Sequence, residues 1–301
     1  MLIESKKIWM DGKFVDWADA NVHILTHTLH YGTGAFEGIR CYKTPAGSAI
    51  FRLQEHVDRL FDSCHILKID PPFKHAEIKK AIIDTVKINK LKECYIRPLV
   101  YIGYGAMGLY PKENPIRVAI AVWPWGAYLG EEGLKNGIRV KVSSFAWNAT
   151  LTKSKTSGDY VNSTLSKREA LSCGYEEALL LDTNGFVSEG TGQNIFIVKN
   201  GALLTPPLPA ILEGITRNSI MEIARKEKIE VRELAFTRDE VYIADEAFFT
   251  GTAAEVTPIR EVDGRTIGKG KPGPITKKLQ DLFFKIVKGE AQAYKSWLTY
   301  V

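Results

Sequence analysis

Lys155-Thr156-Ser157-Gly158-Asp159-Tyr160 places small residues between a lysine and an aromatic that opens a helix-like run over 161–170. A lysine among small neighbours can condense with an aldehyde, because nothing bulky blocks a flat ring from lying beside it. The competing reading is a solvated loop, since Lys155 is one of 40 basic residues and lysine side chains are mostly exposed. Lys153, two residues earlier, is a second candidate amine. What stands around this stretch decides between a cofactor-holding fold and an ordinary surface turn.

Upstream, two short apolar runs flank Asp11-Gly12, which predicts a hairpin over 8–15, and 20–25 reads as a further strand. Gly32, Gly34 and Gly38 crowd a span that ends in a strand over 39–42; they do not fit a dinucleotide fingerprint. Leu53, Val57, Leu60, Phe61, Cys64 and Leu67 recur at helical spacing and predict a helix over 53–68, with Arg59 and Ser63 at the margin of the apolar stripe. A second helix is predicted over 76–89. Two β-rich runs, 93–102 and 116–122, flank the glycine-rich segment 103–111, a natural place for ligand contacts. Residues 123–133 read as an interdomain linker, dividing a small N-terminal α+β domain (1–122) from a large C-terminal α+β domain (134–301).

Downstream, strands are predicted over 138–143, 177–181, 186–189, 194–198, 202–205, 230–233 and 247–250. Helices are predicted to about residue 173 and over 216–227 and 274–288. Asn184-Gly185 and Asp263-Gly264 mark hairpins. Strands and helices mix without regular alternation, which favours α+β over a doubly wound sheet.

Composition bounds the function. The 301 residues are 45% hydrophobic and 25% charged, as in a globular chain with a full core. Net charge is +5 with both signs interspersed, which argues against a nucleic-acid surface and suits small anionic substrates. No window reaches membrane-spanning length, and residues 1–10 lack a signal-peptide apolar core; a cytoplasmic location is the expectation. The four cysteines form no C-x-x-C pair, so neither zinc nor a redox couple is indicated. His23, His27 and His30 would share one helix face, but no acidic ligand accompanies them, and no metal is expected.

Four constellations can carry chemistry. In Val187-Ser188-Glu189-Gly190-Thr191-Gly192-Gln193-Asn194 a carboxylate ends a strand and can hold a proton on a pyridine nitrogen, although a tight turn with a solvated Glu189 also fits. Glu213-Gly214-Ile215-Thr216-Arg217 opens a helix, where backbone N–H groups and a hydroxyl make a phosphate seat; plain capping by Thr216 is the alternative. Arg59 and Arg217 are candidate charge partners. The stretch from Phe249 through Gly251, Thr252 and Ala253 to Glu255 leaves a strand through small residues whose N–H groups can meet an anion. Tyr95 and Arg97 share one face of a strand and together suit a carboxylate, or an edge-strand ion pair.

Taken in order, Tyr31 to Arg40, Tyr95-Ile96-Arg97, Lys155-x-x-Gly158-Asp159-Tyr160, Ser188 to Asn194, Gly214 to Arg217 and Gly251 to Glu255 closely resemble the branched-chain amino acid aminotransferases, pyridoxal-phosphate enzymes of fold type IV. The resemblance runs from about residue 8 to about 288. It implies a two-domain α+β fold like that of D-amino acid aminotransferase, with pyridoxal 5'-phosphate as cofactor and Lys155 as the Schiff-base lysine, since only Lys155 keeps the family spacing to Tyr160. Arg59 and Gly214, Ile215 and Thr216 would hold the phosphate, with Thr252 near it, and Gly192, Asn194, Leu212 and Gly251 would also bind the cofactor. Glu189 would pair with the pyridine nitrogen, and Tyr160 with the ring hydroxyl. Tyr31, Phe36, Gly38, Arg40, Tyr95, Arg97, Met107, Trp125, Tyr128, Thr252 and Ala253 would line the substrate site, some across a dimer interface. One departure stands out: Asp159 replaces the asparagine of many members.

The implied reaction is a reversible ping-pong transamination of leucine, isoleucine and valine with 2-oxoglutarate. The implied partners are amino and 2-oxo acids and a homo-oligomer, a dimer at least, with a hexamer as the larger alternative. The rivals within the fold are D-amino acid or (R)-amine aminotransferase and aminodeoxychorismate lyase. The rival of another class is a non-catalytic ligand-binding α+β protein.

Overall fold

In the computed structural model, the described residues are 2–126, 128–147 and 149–301. Met1, within the N-terminal reading, and Ala127, within the linker reading, lie outside them. The chain divides into two compact units. The first comprises Met1–Trp125, Ser154–Asp159 and Ile286–Val301; the second comprises Gly126–Lys153 and Tyr160–Lys285.

The first unit begins with β1 (Lys7–Met10) and β2 (Lys13–Asp16), paired antiparallel around Asp11-Gly12. Both turn residues have positive φ, 47° and 91°, as a type I′ hairpin requires. The expected strand over 20–25 does not form. His23 instead turns the chain, its carbonyl accepting from the Thr26 N–H and its Nδ1 accepting from the Leu25 N–H. A side chain that captures backbone donors locally competes with a ladder, and Val22, Ile24 and Leu25 stay exposed.

The short helix α1 (His27–Tyr31) leads into β3 (Gly34–Phe36), β4 (Ile39–Thr44) and β5 (Gly47–Phe51). Helices α2 (Leu53–Ile66) and α3 (His75–Asn89) follow, then β6 (Cys94–Ile102) and β7 (Ile116–Trp123). The sheet order is C-terminal strand (Leu298–Tyr300), β5, β4, β6, β7, β1, β2, with β3 also on β6. Leu53, Val57 and Leu60 of α2 and Ile78 and Ile82 of α3 form one core with Ile39, Ile96 and Ile120 of the strands.

Pro98 sits inside β6, where a proline normally costs a ladder bond. It is accommodated because the strand alongside changes there. β4 pairs with Cys94 to Ile96, and β3 with Leu99 to Tyr101. Glu37 and Gly38 fill the break between them, and the Glu37 N–H donates to the Pro98 carbonyl at 3.0 Å. The interruption therefore puts the segment from Phe36 to Arg40 against the middle of β6, beside Tyr95 and Arg97.

The second unit holds α4 (Glu131–Asn136), β8 (Ile138–Val142), α5 (Tyr160–Ser172), β9 (Glu177–Leu181), β10 (Val187–Gly190), β11 (Asn194–Lys199) and β12 (Ala202–Thr205). It continues through α6 (Ile215–Lys226), β13 (Val231–Glu233), α7 (Arg238–Tyr242), β14 (Glu246–Gly251), β15 (Glu255–Val262), β16 (Arg265–Thr266) and α8 (Pro274–Val287). The order is β10-β9-β8-β15-β14-β11-β12-β13, and β10 also pairs with β11, so the path from β10 to β11 closes on itself. Its interior is packed by Ile138, Val140, Leu179, Ile195, Ile197, Phe249 and Ile259. Closure fixes the β10–β11 turn, where Glu189 stands opposite Asn194.

Candidate active site

Within the first unit, Lys155 is bound by its main chain on both sides. Its N–H donates to Ser63 Oγ at 2.9 Å, and its carbonyl accepts from the Phe36 N–H at 3.0 Å. Ser63 is fully buried and donates in turn to the Arg59 carbonyl at 2.8 Å. Ser63 therefore belongs to the buried face of α2, one turn beyond Arg59, rather than to the margin of its stripe. Thr156 extends this docking by bridging to Ala35.

The Lys155 Nζ lies 5.0 Å from the centre of the Phe36 ring. Burial draws the amine's pKa down to about 8, an effect opposed by Glu37 and reinforced by Arg59. An amine with that value is part neutral near physiological pH and can both take and return a proton. Lys153, by contrast, is exposed in the second unit, and its amine donates to the carbonyls of Leu208 and Ile211.

Arg97 lies with its guanidinium 4.7 Å from the centre of the Phe36 ring and 5.4 Å from that of Tyr95, so Tyr95 and Arg97 share a face as strand alternation demands. Its Nε is buried with no hydrogen-bond partner among the described residues, as is Trp123 Nε1. Arg40 is the cross-strand partner of Tyr95, and Trp125 packs edge-on against Tyr95 at 4.5 Å. Gly38 is required here. A Cβ on it would fall 1.9 Å from the Tyr95 hydroxyl. Tyr31, at the end of α1, and Met107 are exposed.

Within the second unit, Glu189 is buried on β10, and the Asn194 amide donates to its Oε2 at 2.7 Å and to the Leu212 carbonyl at 3.0 Å. Gly214 makes room for that amide, since a Cβ there would lie 1.9 Å from Asn194 Oδ1. Gly214 is the N-cap of α6 with no side-chain cap, and Ile215 and Thr216 form the first turn. Thr216 is therefore inside the helix rather than capping it, and the turn's N–H groups face outward along the axis as an anion seat would need. Gln193 Nε2 and Thr250 Oγ1 are buried without a partner among the described residues. Gly192 lies in the turn between Glu189 and Asn194, while Gly251 ends β14 and Thr252 and Ala253 form the turn into β15. Tyr160 opens α5, and Lys167 Nζ lies 5.5 Å from the centre of the Tyr128 ring.

Arg217 departs from its reading as a phosphate partner. It is 1% exposed and donates from Nη2 to Glu233 at 2.8 Å and to the Pro206 carbonyl at 3.0 Å, pinning α6 to β13. Asp159 is half-buried, and burial raises its carboxyl above the ordinary value. Among the described residues no cluster of three potential metal ligands occurs, and no helix is long and apolar enough to cross a membrane.

Glu37, His56 and Glu177 are buried polar residues to which the sequence motifs assign no role. Glu37, fully buried, accepts from His56 Nδ1 at 2.7 Å and from Arg59 Nε and Nη2 at 2.6 and 3.0 Å. His56, Arg59 and Ser63 recur at helical spacing, and that polar stripe beside the apolar one was the available signal. Glu177, also fully buried, accepts from Lys167 Nζ at 2.9 Å and from Thr191 Oγ1 at 2.8 Å, bracing the turn that follows Glu189.

The model of the family "Amino-transferase class IV" matches residues 34–262. The branched-chain-amino-acid aminotransferase of Pseudomonas aeruginosa is 54% identical over 297 residues, 98% of this chain and 97% of that one. The solved structure of the Escherichia coli branched-chain amino acid aminotransferase superposes over 98% of this chain and 99% of that one, with a TM-score of 0.96 at 45% identity. A thermophilic archaeal relative, the branched-chain aminotransferase of Thermoproteus uzoniensis solved with norvaline, covers 98% of this chain and 99% of its own, with a TM-score of 0.93 at 43% identity. With the α+β architecture, the docked lysine and the glycine-spaced carboxylate turn already described, this agreement over nearly the whole length has one meaning: the chain belongs to the class IV aminotransferases.

Proposed function

We propose that this protein is a branched-chain-amino-acid aminotransferase, moving the amino group reversibly between leucine, isoleucine or valine and 2-oxoglutarate in a ping-pong sequence that uses pyridoxal 5'-phosphate. The observation that carries this reading is Lys155: its backbone is tied down by Ser63 and Phe36, and its amine is held near a pKa of about 8. The full-length similarity to branched-chain aminotransferases supports the substrate class.

The residues fit the cofactor on two counts. Buried, unpartnered polar atoms at Gln193 and Thr250 offer hydrogen bonds, and the uncapped helix start at Gly214 offers N–H groups to a phosphate. Arg59, Leu212, Gly214, Ile215, Thr216, Gly251 and Thr252 would hold the phosphate. Glu189, with Gly192 and Asn194, would face the ring nitrogen, and Tyr160 the ring hydroxyl. When bound, the cofactor supplies an electron sink for the substrate's α-carbon.

The protein's share of the work is positioning and proton movement. The Lys155 amine would take the proton from the substrate α-carbon and, once protonated, would serve as the acid that gives it back. Arg97, with Tyr95, Tyr31 and Arg40, receives the substrate's carboxylates, since an unpaired carboxylate in an enclosed pocket is costly. Phe36, Gly38, Met107, Trp125, Tyr128 and the turn at Thr252 and Ala253 shape the site for a branched apolar side chain. The Thermoproteus uzoniensis relative was solved with norvaline, an amino acid with an aliphatic side chain, which agrees with an apolar side-chain site here.

The test is the visible spectrum of the purified protein with bound cofactor. Adding L-leucine should abolish the visible band, and 2-oxoglutarate should restore it. Bleaching by D-alanine but not by L-leucine would assign the chain to the D-amino acid enzymes instead, and bleaching by neither would end the transaminase reading.

A further inference from the structure

The Phe36 ring collects positive charge. Lys155 Nζ lies 5.0 Å from its centre, and the Arg97 guanidinium 4.7 Å from it. Arg59 sits on the α2 turn below Ser63, whose hydroxyl holds the Lys155 N–H. Three cations thus converge, and their mutual repulsion in a poorly solvated place would strip the proton from the group that holds it least tightly, the lysine amine. The carboxylate built into this cluster is Glu37, the neighbour of Phe36 in sequence. Nothing in the transamination chemistry set out above requires it.

Glu37 is equipped to stay charged. It is fully buried, yet its Oε1 accepts from Arg59 Nε, and its Oε2 accepts from Arg59 Nη2, from His56 Nδ1 and from the Gly38 N–H at 3.2 Å. Against the cost of burial, Arg59 and His56 hold its carboxyl far below the usual carboxylate range. His56, whose own pKa burial lowers, enters as a neutral donor. The groups acting on the Lys155 amine from the packed elements are Glu37 between β3 and β4, Arg59 on α2, and Tyr95 and Arg97 on β6.

We propose that Glu37 is a positioning residue for the proton of Lys155: its buried carboxylate, clamped by Arg59 and His56, is the fixed counter-charge that keeps the amine able to hold a proton beside the guanidiniums of Arg59 and Arg97. It acts on the amine through its field, with its own hydrogen bonds taken by Arg59, His56 and Gly38. This rests on the reading of Lys155 as the reacting amine. With Glu37 present the amine titrates near neutrality, where it serves as acid and base in turn; without it the amine stays neutral and loses the acid half of its task.

The test uses the full chain freed of cofactor by exchange. Modification of Lys155 by trinitrobenzenesulfonate is followed against pH and assigned by peptide mass. In Glu37→Gln the midpoint should fall by about 1 pH unit or more, the size of a nearby opposite charge, and Glu37→Asp should restore most of it. In Arg59→Gln, which removes a cation, the midpoint should rise. A packing role would move both variants the same way or not at all, and either result overturns the proposal. Should Glu37→Gln alone fail to fold, the paired Glu37→Gln/Arg59→Gln chain removes both buried charges together. Its midpoint should lie below that of Arg59→Gln alone, and equality would overturn the proposal. Borohydride trapping of pyridoxal phosphate is read separately, so an error in assigning Lys155 as the cofactor-linking residue is distinguished from an error about Glu37.

Discussion

At the scale of single residues, the site's demands are steric as much as chemical. Gly38 and Tyr95 cannot both keep their places if Gly38 carries a Cβ, because the hydroxyl is 1.9 Å from where that atom would be. Trp123 and Trp125 pack around the Tyr95 ring at 5.3 and 4.5 Å, so the ring has little room to yield. Gly38→Ala is expected to cost about 1–3 kcal/mol of overpacking and to displace the phenol from Arg97. Steady-state kinetics should show the glutamate half-reaction losing at least about tenfold, since about 1.4 kcal/mol corresponds to tenfold. Arg97→Ala should weaken glutamate and 2-oxoglutarate more than leucine, because only they bring a second carboxylate to be paired. Equal losses in kcat/KM for both half-reactions would remove Arg97 from that role. These positions were legible in the sequence as types, a glycine, a phenol and a guanidinium, but the collision that fixes Gly38 is visible only in three dimensions.

Two elements of secondary structure do most of the organising. Helix α2 shows its apolar face plainly in sequence, yet its polar stripe of His56, Arg59 and Ser63 is equally specific. It clamps the break between β3 and β4 through Glu37 and holds the lysine segment through Ser63. That break lies beside Pro98, where β4 gives way to β3 along an unbroken β6, a feature that strand propensity alone cannot place. The other element is the β10–β11 turn. Asn194 ties Glu189 to the Leu212 carbonyl, and hydrogen bonds to a charged group contribute about 1.5–3 kcal/mol. Asn194→Ala should therefore raise the dissociation constant for pyridoxal phosphate about tenfold or more, measured by fluorescence titration; an unchanged constant would separate this turn from the cofactor. The strand expected over 20–25 failed for a comparable local reason, a histidine side chain that caps its own turn. Arg217 differs from its motif expectation because a motif gives a residue's neighbours in sequence, not the Glu233 that pairs with it from β13.

For the molecule as a whole, the mixture of helices and strands gave the fold class from sequence. The return of Ser154–Asp159 and Ile286–Val301 to the first unit was hidden, because it depends on contacts between distant parts of the chain. The buried charges make stability depend on pH with a definite sign. Glu37 has a folded pKa below its unfolded value, so it contributes stability above the ordinary carboxylate range, and this is lost as pH falls below about 4.5. Chemical denaturation should show wild type exceeding Glu37→Gln at neutral pH by about 3–5 kcal/mol, the cost of leaving a buried partner uncompensated, with the gap narrowing in acid. Lys155 works in the opposite range. Its lowered folded pKa adds stability as pH rises from about 8 toward the ordinary lysine value of 10.5. Leu109 and Tyr110, 87% and 84% exposed on one loop with Tyr104 and Met107, form an apolar surface of the kind that self-association covers. Sedimentation equilibrium should return a dimer at least; a monomer at micromolar concentration would contradict the homo-oligomer.

Lys155, and not Lys153, is proposed as the amine that engages the cofactor. Reduction with borohydride after loading with pyridoxal phosphate, followed by peptide mapping, tests it directly. The phosphopyridoxyl mass is expected on Lys155, with Lys153 unmodified and still bound to its two carbonyls. Label on Lys153, or on neither lysine, would contradict it.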